Sequence, residues 1–273
     1  MCQECGCGNG GGDVKIGSHA PGHEPHHGHG HHDHADHPHE HSREKHTVNL
    51  NRSLMEKNAL LAERNRGFFR AKKLLVLNVV SSPGSGKTTF IRETAARLGA
   101  KLRVGVIVGD LATDNDAARL RTAGIPVVQI TTGTVCHLDA DMVSKAAGQL
   151  DLDQLDVLVI ENVGNLVCPA DYDLGEDLRV VLLSTTEGED KPLKYPPIFH
   201  SADVAIVTKS DLVSAAGFNR ELALANLRRV SHHARIFELS AKTGEGMKAW
   251  MNFLVEQNAA AKFSQIPHSI PAR

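Results

Sequence analysis

The 273-residue sequence has no apolar run of 18 residues, so no segment of it reads as a membrane-spanning helix. Its first residues, Met1-Cys2-Gln3-Glu4-Cys5-Gly6-Cys7, lack the apolar stretch of a secretory signal, which sets the expectation of a cytoplasmic protein with no membrane partner. A basic field is missing as well: 30 Lys and Arg stand against 32 Asp and Glu, which argues against nucleic acid. Cysteines are few and odd in number, five in all, so a disulfide framework is not expected and reduced thiols are left for metal ligation. Residues 1–46 hold only Val14 and Ile16 from the Val, Ile, Leu and Phe set. That is too little apolar surface to offset the entropy of ordering the segment, and disorder without a ligand is expected there.

The tail is instead rich in metal ligands. Of 17 histidines, 12 fall between His19 and His46, interspersed with Gly, Pro, Asp and Glu. Imidazoles without fixed geometry suit a weak, high-capacity store for borderline metals, and the mixed composition reads as native rather than as an uninterrupted tag. Cys2, Cys5 and Cys7 place three thiols within six residues of a Gly-rich segment. A closed structural Zn2+ site wants four protein ligands, whereas three thiolates with one nitrogen, from the N-terminal amine or a tail histidine, suit square-planar Ni2+.

Residues 47–273 read as one α/β domain. Leu50, Leu54, Leu60 and Leu61 recur at roughly helical spacing and predict a lead-in helix over 50–69 that ends near Gly67. Apolar runs then follow at 74–80, 104–108, 127–130, 157–160, 180–183, 204–207 and 236–239, separated by helical patterns. Val- and Ile-rich runs of this kind suit strands covered on both faces, and the helices between them supply crossovers, so a mainly parallel sheet with helices on both faces is expected.

The first run leads into Ser81-Ser82-Pro83-Gly84-Ser85-Gly86-Lys87-Thr88-Thr89 and a helical pattern. This is a phosphate-binding loop, with Ser81 where the usual pattern begins with Gly. Backbone N–H groups of Gly84, Ser85, Gly86 and Thr89 can curl around phosphate oxygens, Lys87 reaches the β and γ phosphates, and the Thr88 hydroxyl ligates Mg2+. After the run at 204–207 comes Thr208-Lys209-Ser210-Asp211. Guanine offers two donors that one carboxylate accepts together and adenine offers neither, so Asp211 would select GTP, with Lys209 along the base plane. Ser240-Ala241-Lys242 fits a loop whose backbone meets the guanine oxygen. For Mg2+, two strand ends supply carboxylates: Asp110 with Asp114 and Asp116 after one, and Glu161 after the other, where Gly164 could sense the γ phosphate. Asp114 and Asp116 could equally be helix caps.

Cys136 beside His137 follows the Thr131-Thr132-Gly133 turn, and Cys168 lies seven residues after Glu161, so both belong to loops at strand ends on the nucleotide side. As ligands they leave a tetrahedral site incomplete, to be finished by water or a second subunit; as buried cysteines they would be small hydrophobes.

Taken together, Cys2-Gln3-Glu4-Cys5-Gly6-Cys7, the histidine tract, Cys136-His137-Leu138-Asp139-Ala140 and Glu161-Asn162-Val163-Gly164-Asn165-Leu166-Val167-Cys168-Pro169-Ala170-Asp171 resemble the HypB family of hydrogenase nickel-incorporation GTPases over the whole chain. The resemblance implies a slow GTPase that forms a homodimer with GTP bound and helps deliver Ni2+ to the large subunit of nickel-iron hydrogenase, with the zinc-containing partner HypA. It also implies a nickel site at Cys2, Cys5 and Cys7, a Ni2+ or Zn2+ site at Cys136, His137 and Cys168, and a switch aspartate at Asp116 ahead of Asp110. A urease-maturation GTPase would share the phosphate loop and histidine tract without these cysteines, and a storage protein would explain only the tail.

Overall fold

A computed structural model of the protein describes residues 15–17, 41–99 and 101–263. Cys2, Cys5, Cys7 and the histidines from His19 to His39, expected as the tail's metal ligands, lie outside the described residues.

The strands are β1 Lys15–Gly17, β2 Leu75–Ser81, β3 Val104–Asp110, β4 Val127–Thr131, β5 Val157–Glu161, β6 Leu178–Ser184, β7 Val204–Thr208 and β8 Arg235–Glu238. The helices are α1 His41–Ala71, α2 Lys87–Leu98, α3 Asn115–Thr122, α4 Ala140–Ala147, α5 Lys191–Lys194, α6 Pro196–His200, α7 Val213–Ala216, α8 Arg220–Val230 and α9 Met247–Phe263. The strands form one sheet in the order β1-β4-β3-β5-β2-β6-β7-β8, and every pairing from β4 through β8 is parallel. All seven apolar runs of the sequence are strands; those inside the sheet are buried on both faces, whereas β8, at its edge, is only partly buried.

The alternation of side chains along the strands splits the core. Leu75, Leu77 and Val79 of β2 pack with Phe90 and Ile91 of α2, Leu120 of α3 and Trp250 and Leu254 of α9. Leu74 and Val76 turn to the other face, with Phe69 of α1 and Met142 and Val143 of α4, while Val80 joins Phe199 of α6 and Leu227 of α8 on that side. Trp250 is fully buried and its indole N–H donates to the Thr94 hydroxyl at 3.1 Å, so its one polar atom is satisfied.

Two details depart from the sequence pattern. Helix α1 runs through Gly67 to Ala71, because Phe69 is buried against α4 and holds the last turn. Its buried stripe is not the leucines, since Leu54 and Leu60 are 56% and 75% exposed; it is Asn58, Ala62, Asn65 and Phe69. The Asn58 amide donates to the Asp173 carbonyl at 2.8 Å and its oxygen accepts from Ala140 N–H at 2.9 Å, while the Asn65 amide donates to the Ala140 and Leu174 carbonyls. The helix is thus docked by buried amides on backbone groups, each costing roughly 1–3 kcal/mol if left unpaired. Gly175 makes this approach possible: its φ is +89° and a Cβ there would lie 2.6 Å from the Ala62 carbonyl oxygen.

Within residues 1–46, only 15–17 and 41–46 fall among the described residues. Strand β1 pairs antiparallel with β4, Ile16 opposite Ile130, and so covers backbone groups that an edge strand leaves free; α1 begins at His41.

Candidate nucleotide and metal site

All the candidate site residues of the domain lie at the carboxyl ends of the parallel strands, where the crossovers leave a crevice. Strand β2 ends in the phosphate loop. Gly84 and Gly86 have φ of +73° and +96°, conformations that favour glycine, and Gly86 caps α2 so that the N–H groups of its first turn point into a cavity of about 440 Å³. Ser81, in the place of the usual first glycine, has no positive φ and needs none. Its hydroxyl is buried and bonded to the Ser82 carbonyl and to the Ser85 hydroxyl, and it receives the Lys87 ammonium at 3.0 Å. A serine here fixes the loop from inside.

The cavity is lined by Gly84, Gly86, Lys87, Thr88, Thr89, Asp110, Asp116, Arg119, Glu161 and Gly164, which brings the expected phosphate- and magnesium-binding residues together. Thr88 donates to Glu161 Oε1 at 2.7 Å, while Glu161 Oε2 is buried with no hydrogen-bond partner. Burial pushes the Glu161 carboxyl up to about 7, against the pull of the Thr88 hydroxyl and Lys87, and the Asp116 and Asp110 charges push the same way. Burial likewise lowers Lys87, opposed first by Glu161 and then by Asp116. Asp110 Oδ1 is committed to the N–H groups of Ala112 and Thr113, whereas Asp116, in the first turn of α3, meets only Arg119 at 3.3 Å. Asp114 stands at the N-cap of α3 without a side-chain cap bond. Gly164 is held close to the phosphate loop: a Cβ there would meet Pro83 Cα at 3.1 Å.

A second cavity of about 260 Å³ adjoins the first, sharing Gly86 and Thr89. Ser85, Lys209, Asp211, Ala241 and Lys242 line it. Lys209 is left-handed (φ 58°), and its ammonium donates to the Gly84 carbonyl at 2.8 Å, so its methylenes form a wall over the phosphate loop. The Thr208 hydroxyl ties the same strand end to the Ser85 carbonyl at 3.1 Å.

Cys136, His137 and Cys168 converge, with one ligand atom from each lying within 4.8 Å of the others and the two Sγ atoms 2.8 Å apart. His137 stacks on Tyr172 at 3.8 Å between ring centroids, and its buried Nδ1 has no hydrogen-bond partner. Burial lowers its pKa, against the Asp139 charge, so the neutral, ligating form is favoured. A neutral imidazole with two thiols is a donor set for a borderline or soft cation.

Several residues that tie these sites together went unassigned in the sequence. Asn162, next to Glu161, accepts from the Leu138 and Val163 N–H groups at 3.2 and 2.9 Å and donates to Asn78. Asn165 donates to the Cys136 carbonyl at 3.3 Å. Asn78 in turn donates to Glu176, which is ion-paired with buried Arg179 at 2.9 Å. Burial alone would raise Glu176; the Arg179 guanidinium and Asn78 amide outweigh it and hold the carboxyl below its ordinary range. Glu187, beyond β6, reaches Ser82 of the phosphate loop, and burial raises its carboxyl. Their partners are distant in sequence, and only the Glu161-Asn162-Val163-Gly164-Asn165 pattern pointed at two of them. Replacing Asn162 by Ala is expected to destabilise the protein by roughly 1–3 kcal/mol, since it strands two backbone N–H groups. A urea unfolding midpoint unchanged from the parent would contradict that role.

The nucleotide-binding domain model of the CobW/HypB/UreG family matches residues 75–238, from β2 to β8. The chain is 49% identical over 235 residues to the hydrogenase maturation factor HypB of Escherichia coli strain K12, with 86% of this chain and 80% of that protein aligned. It belongs to the HypB family of hydrogenase maturation factors. The hydrogenase/urease maturation factor HypB of Helicobacter pylori is 41% identical over 217 residues, covering 78% of this chain and 89% of that one. Among solved structures, HypB from Helicobacter pylori in complex with nickel is similar with a TM-score of 0.72, at 41% identity over 75% of this chain and 96% of that chain. HypB from Archaeoglobus fulgidus gives 0.70 at 39% identity over 74% and 99%. The family match contains the phosphate loop, residues 161–168 and Asp211; Ala241 and Lys242 lie just past it. Among the described residues no helix is long and apolar enough to cross a membrane.

Proposed function

We propose that the protein is a slow, regulatory GTPase of the cytoplasm that acts as a nickel metallochaperone, helping to insert Ni2+ into the large subunit of nickel-iron hydrogenase. One observation carries this reading: the loop that leaves β5 bears Glu161 and Gly164 in the phosphate cavity and, through Asn162 and Asn165, grips the backbone beside Cys136 and His137. A nucleotide state and a metal site thus share one segment.

Asp211 and Lys209 in the second cavity favour guanine, because a carboxylate can accept both donors of its edge. Thr88 and the unpaired oxygen of Glu161 suit a hard cation, and Mg2+ bound with GTP would neutralise phosphate charge there. Lys87, now held on Ser81 and Ser82, would exchange those partners for phosphate oxygens. Asp116 is the preferred second carboxylate, since Asp110 is engaged in its own turn. Cys136, His137 and Cys168 would hold the cargo, Ni2+ or Zn2+, and a second copy in a GTP-state homodimer would complete its coordination. HypA would be the protein partner, and Cys2, Cys5 and Cys7 with the histidine tract a separate nickel reservoir.

The test is transfer of Ni2+ from the full chain to apo-hydrogenase large subunit in GTP and in GDP. Transfer that is faster with GTP supports the reading, and equal transfer rejects it. Guanine selection is checked apart: Asp211→Asn should weaken GTP binding by roughly thirtyfold, about 2 kcal/mol for a lost paired hydrogen bond, and improve xanthosine triphosphate. If GTP affinity stays at the parent's value, the base contact lies elsewhere.

A further inference from the structure

His200, the last residue of α6, and His232 and His233, in the turn between α8 and β8, form a cluster of exposed imidazoles. Their ring centroids are 5.2 Å apart for His232 and His233, 5.7 Å for His200 and His233, and 6.2 Å for His200 and His232. Three imidazoles on a tetrahedral ion, each nitrogen about 2.0–2.1 Å from it, set their ring centroids roughly 5 Å apart. The ring centres are thus spaced for a shared ion while the nitrogens themselves do not converge in this structure, and rotation of the exposed side chains about χ1 and χ2 is what would bring them onto it.

Two bonds hold the cluster's backbone in place. The buried Ser231 hydroxyl donates to the Phe199 carbonyl at 2.5 Å, fastening the α8–β8 turn to the end of α6, and Ala234 N–H closes that turn on the Ser231 carbonyl. His200 Nδ1 lies 3.2 Å from the Val230 carbonyl, which can only accept, so in the neutral ring Nδ1 is the donor and Nε2 is the nitrogen left to ligate. A backbone carbonyl on the far nitrogen is the usual device that orients a ligating histidine. The three residues also sit just before β7 and β8, at the amino edge of the sheet, whereas the phosphate loop, Glu161 and the Cys136 loop leave the carboxyl edge. Strands of five residues separate the two edges by about 17 Å, so the cluster is not part of the site already described.

We propose that His200, His232 and His233 form a second cation site on the globular domain, which binds a borderline divalent ion, nickel(II) or zinc(II), through three imidazoles with water completing the coordination. Hard ions such as magnesium should be refused.

The experiment is carbethoxylation of histidines in the full chain, mapped residue by residue by mass spectrometry, at about pH 7.5 where imidazole is mainly neutral. Free nickel(II) is fixed by a nitrilotriacetate buffer, so the tail histidines report their own occupancy without depleting the ion. His200, His232 and His233 should become protected together, at one nickel concentration, with zinc(II) also protecting and magnesium not. In His200→Ala the concentration that protects His232 and His233 should rise at least tenfold, and in His233→Ala that for His200 should rise likewise. No protection by the nickel concentration that saturates the tail would overturn the site. So would separate midpoints for the three, or a His200→Ala variant that protects His232 and His233 at the parent's concentration.

Discussion

Lys87→Ala is expected to lower GTP turnover by on the order of 10³-fold, because it removes the charge that the phosphate cavity concentrates on the β and γ oxygens. Lys87 is half-buried and is held by the Ser81 hydroxyl at 3.0 Å and the Ser82 carbonyl at 3.4 Å, partners it can release without leaving the loop. Asp110, Asp116 and Glu161 line the cavity beside Lys87 and Arg119, so a neutral side chain at 87 takes away positive charge that screens phosphate from those carboxyl groups. Metal affinity at Cys136, His137 and Cys168 in the absence of nucleotide should stay within about twofold, since the links to that site run through Asn162 and Asn165 rather than through Lys87. Measuring phosphate release and metal binding on the same preparation separates the two effects. Turnover within tenfold of the parent would mean that this loop does not serve the transferred phosphate.

How far the sequence foretold this arrangement depends on whether a residue's role was carried by its neighbours or by distant partners. The seven parallel strands were legible because short runs rich in Val and Ile, alternating with helical patterns, suit strands covered on both faces. Strand β1, three residues with one aliphatic side chain, carries no such signal. The phosphate loop was legible from local spacing, whereas the part Ser81 plays in place of the usual Gly, hydrogen-bonded inside the loop, was not. In α1 the leucine spacing pointed to the wrong face, because that helix docks through Asn58 and Asn65 onto carbonyl and N–H groups of residues 75 to 115 positions away. The amide links from Asn162 and Asn165 to the Cys136 loop span 24 and 29 positions and are invisible to any periodicity. Cys136, His137 and Cys168 were placed at strand ends by counting from the apolar runs; that their ligand atoms meet is a property of the fold alone.

Those amide links lead to the other large effect. Cys168→Ala is expected to weaken Ni2+ or Zn2+ binding at the globular site by more than about 100-fold, since even residues that only orient a ligand are worth 10- to 100-fold. The readout is protection of Cys136 from alkylation in the full chain at buffered free metal, which distinguishes this site from the tail thiols. GTP affinity in buffer that holds Mg2+ but neither Ni2+ nor Zn2+ should be unchanged, because neither cavity is lined by Cys168. In the parent, the same readout should differ by at least about tenfold, 1.4 kcal/mol, between GDP and a non-hydrolysable GTP analogue. Gly164 abuts Pro83 and Glu161 bonds Thr88, so phosphate and cation arriving there would displace the one segment on which Asn162, Asn165 and Cys168 are all carried. Linkage then requires the bound metal to shift the GTP-to-GDP affinity ratio by the same factor, a second measurement on the same protein. Equal Cys136 protection in both nucleotide states would show that residues 161–168 do not couple the two sites, whatever Cys168→Ala does to either.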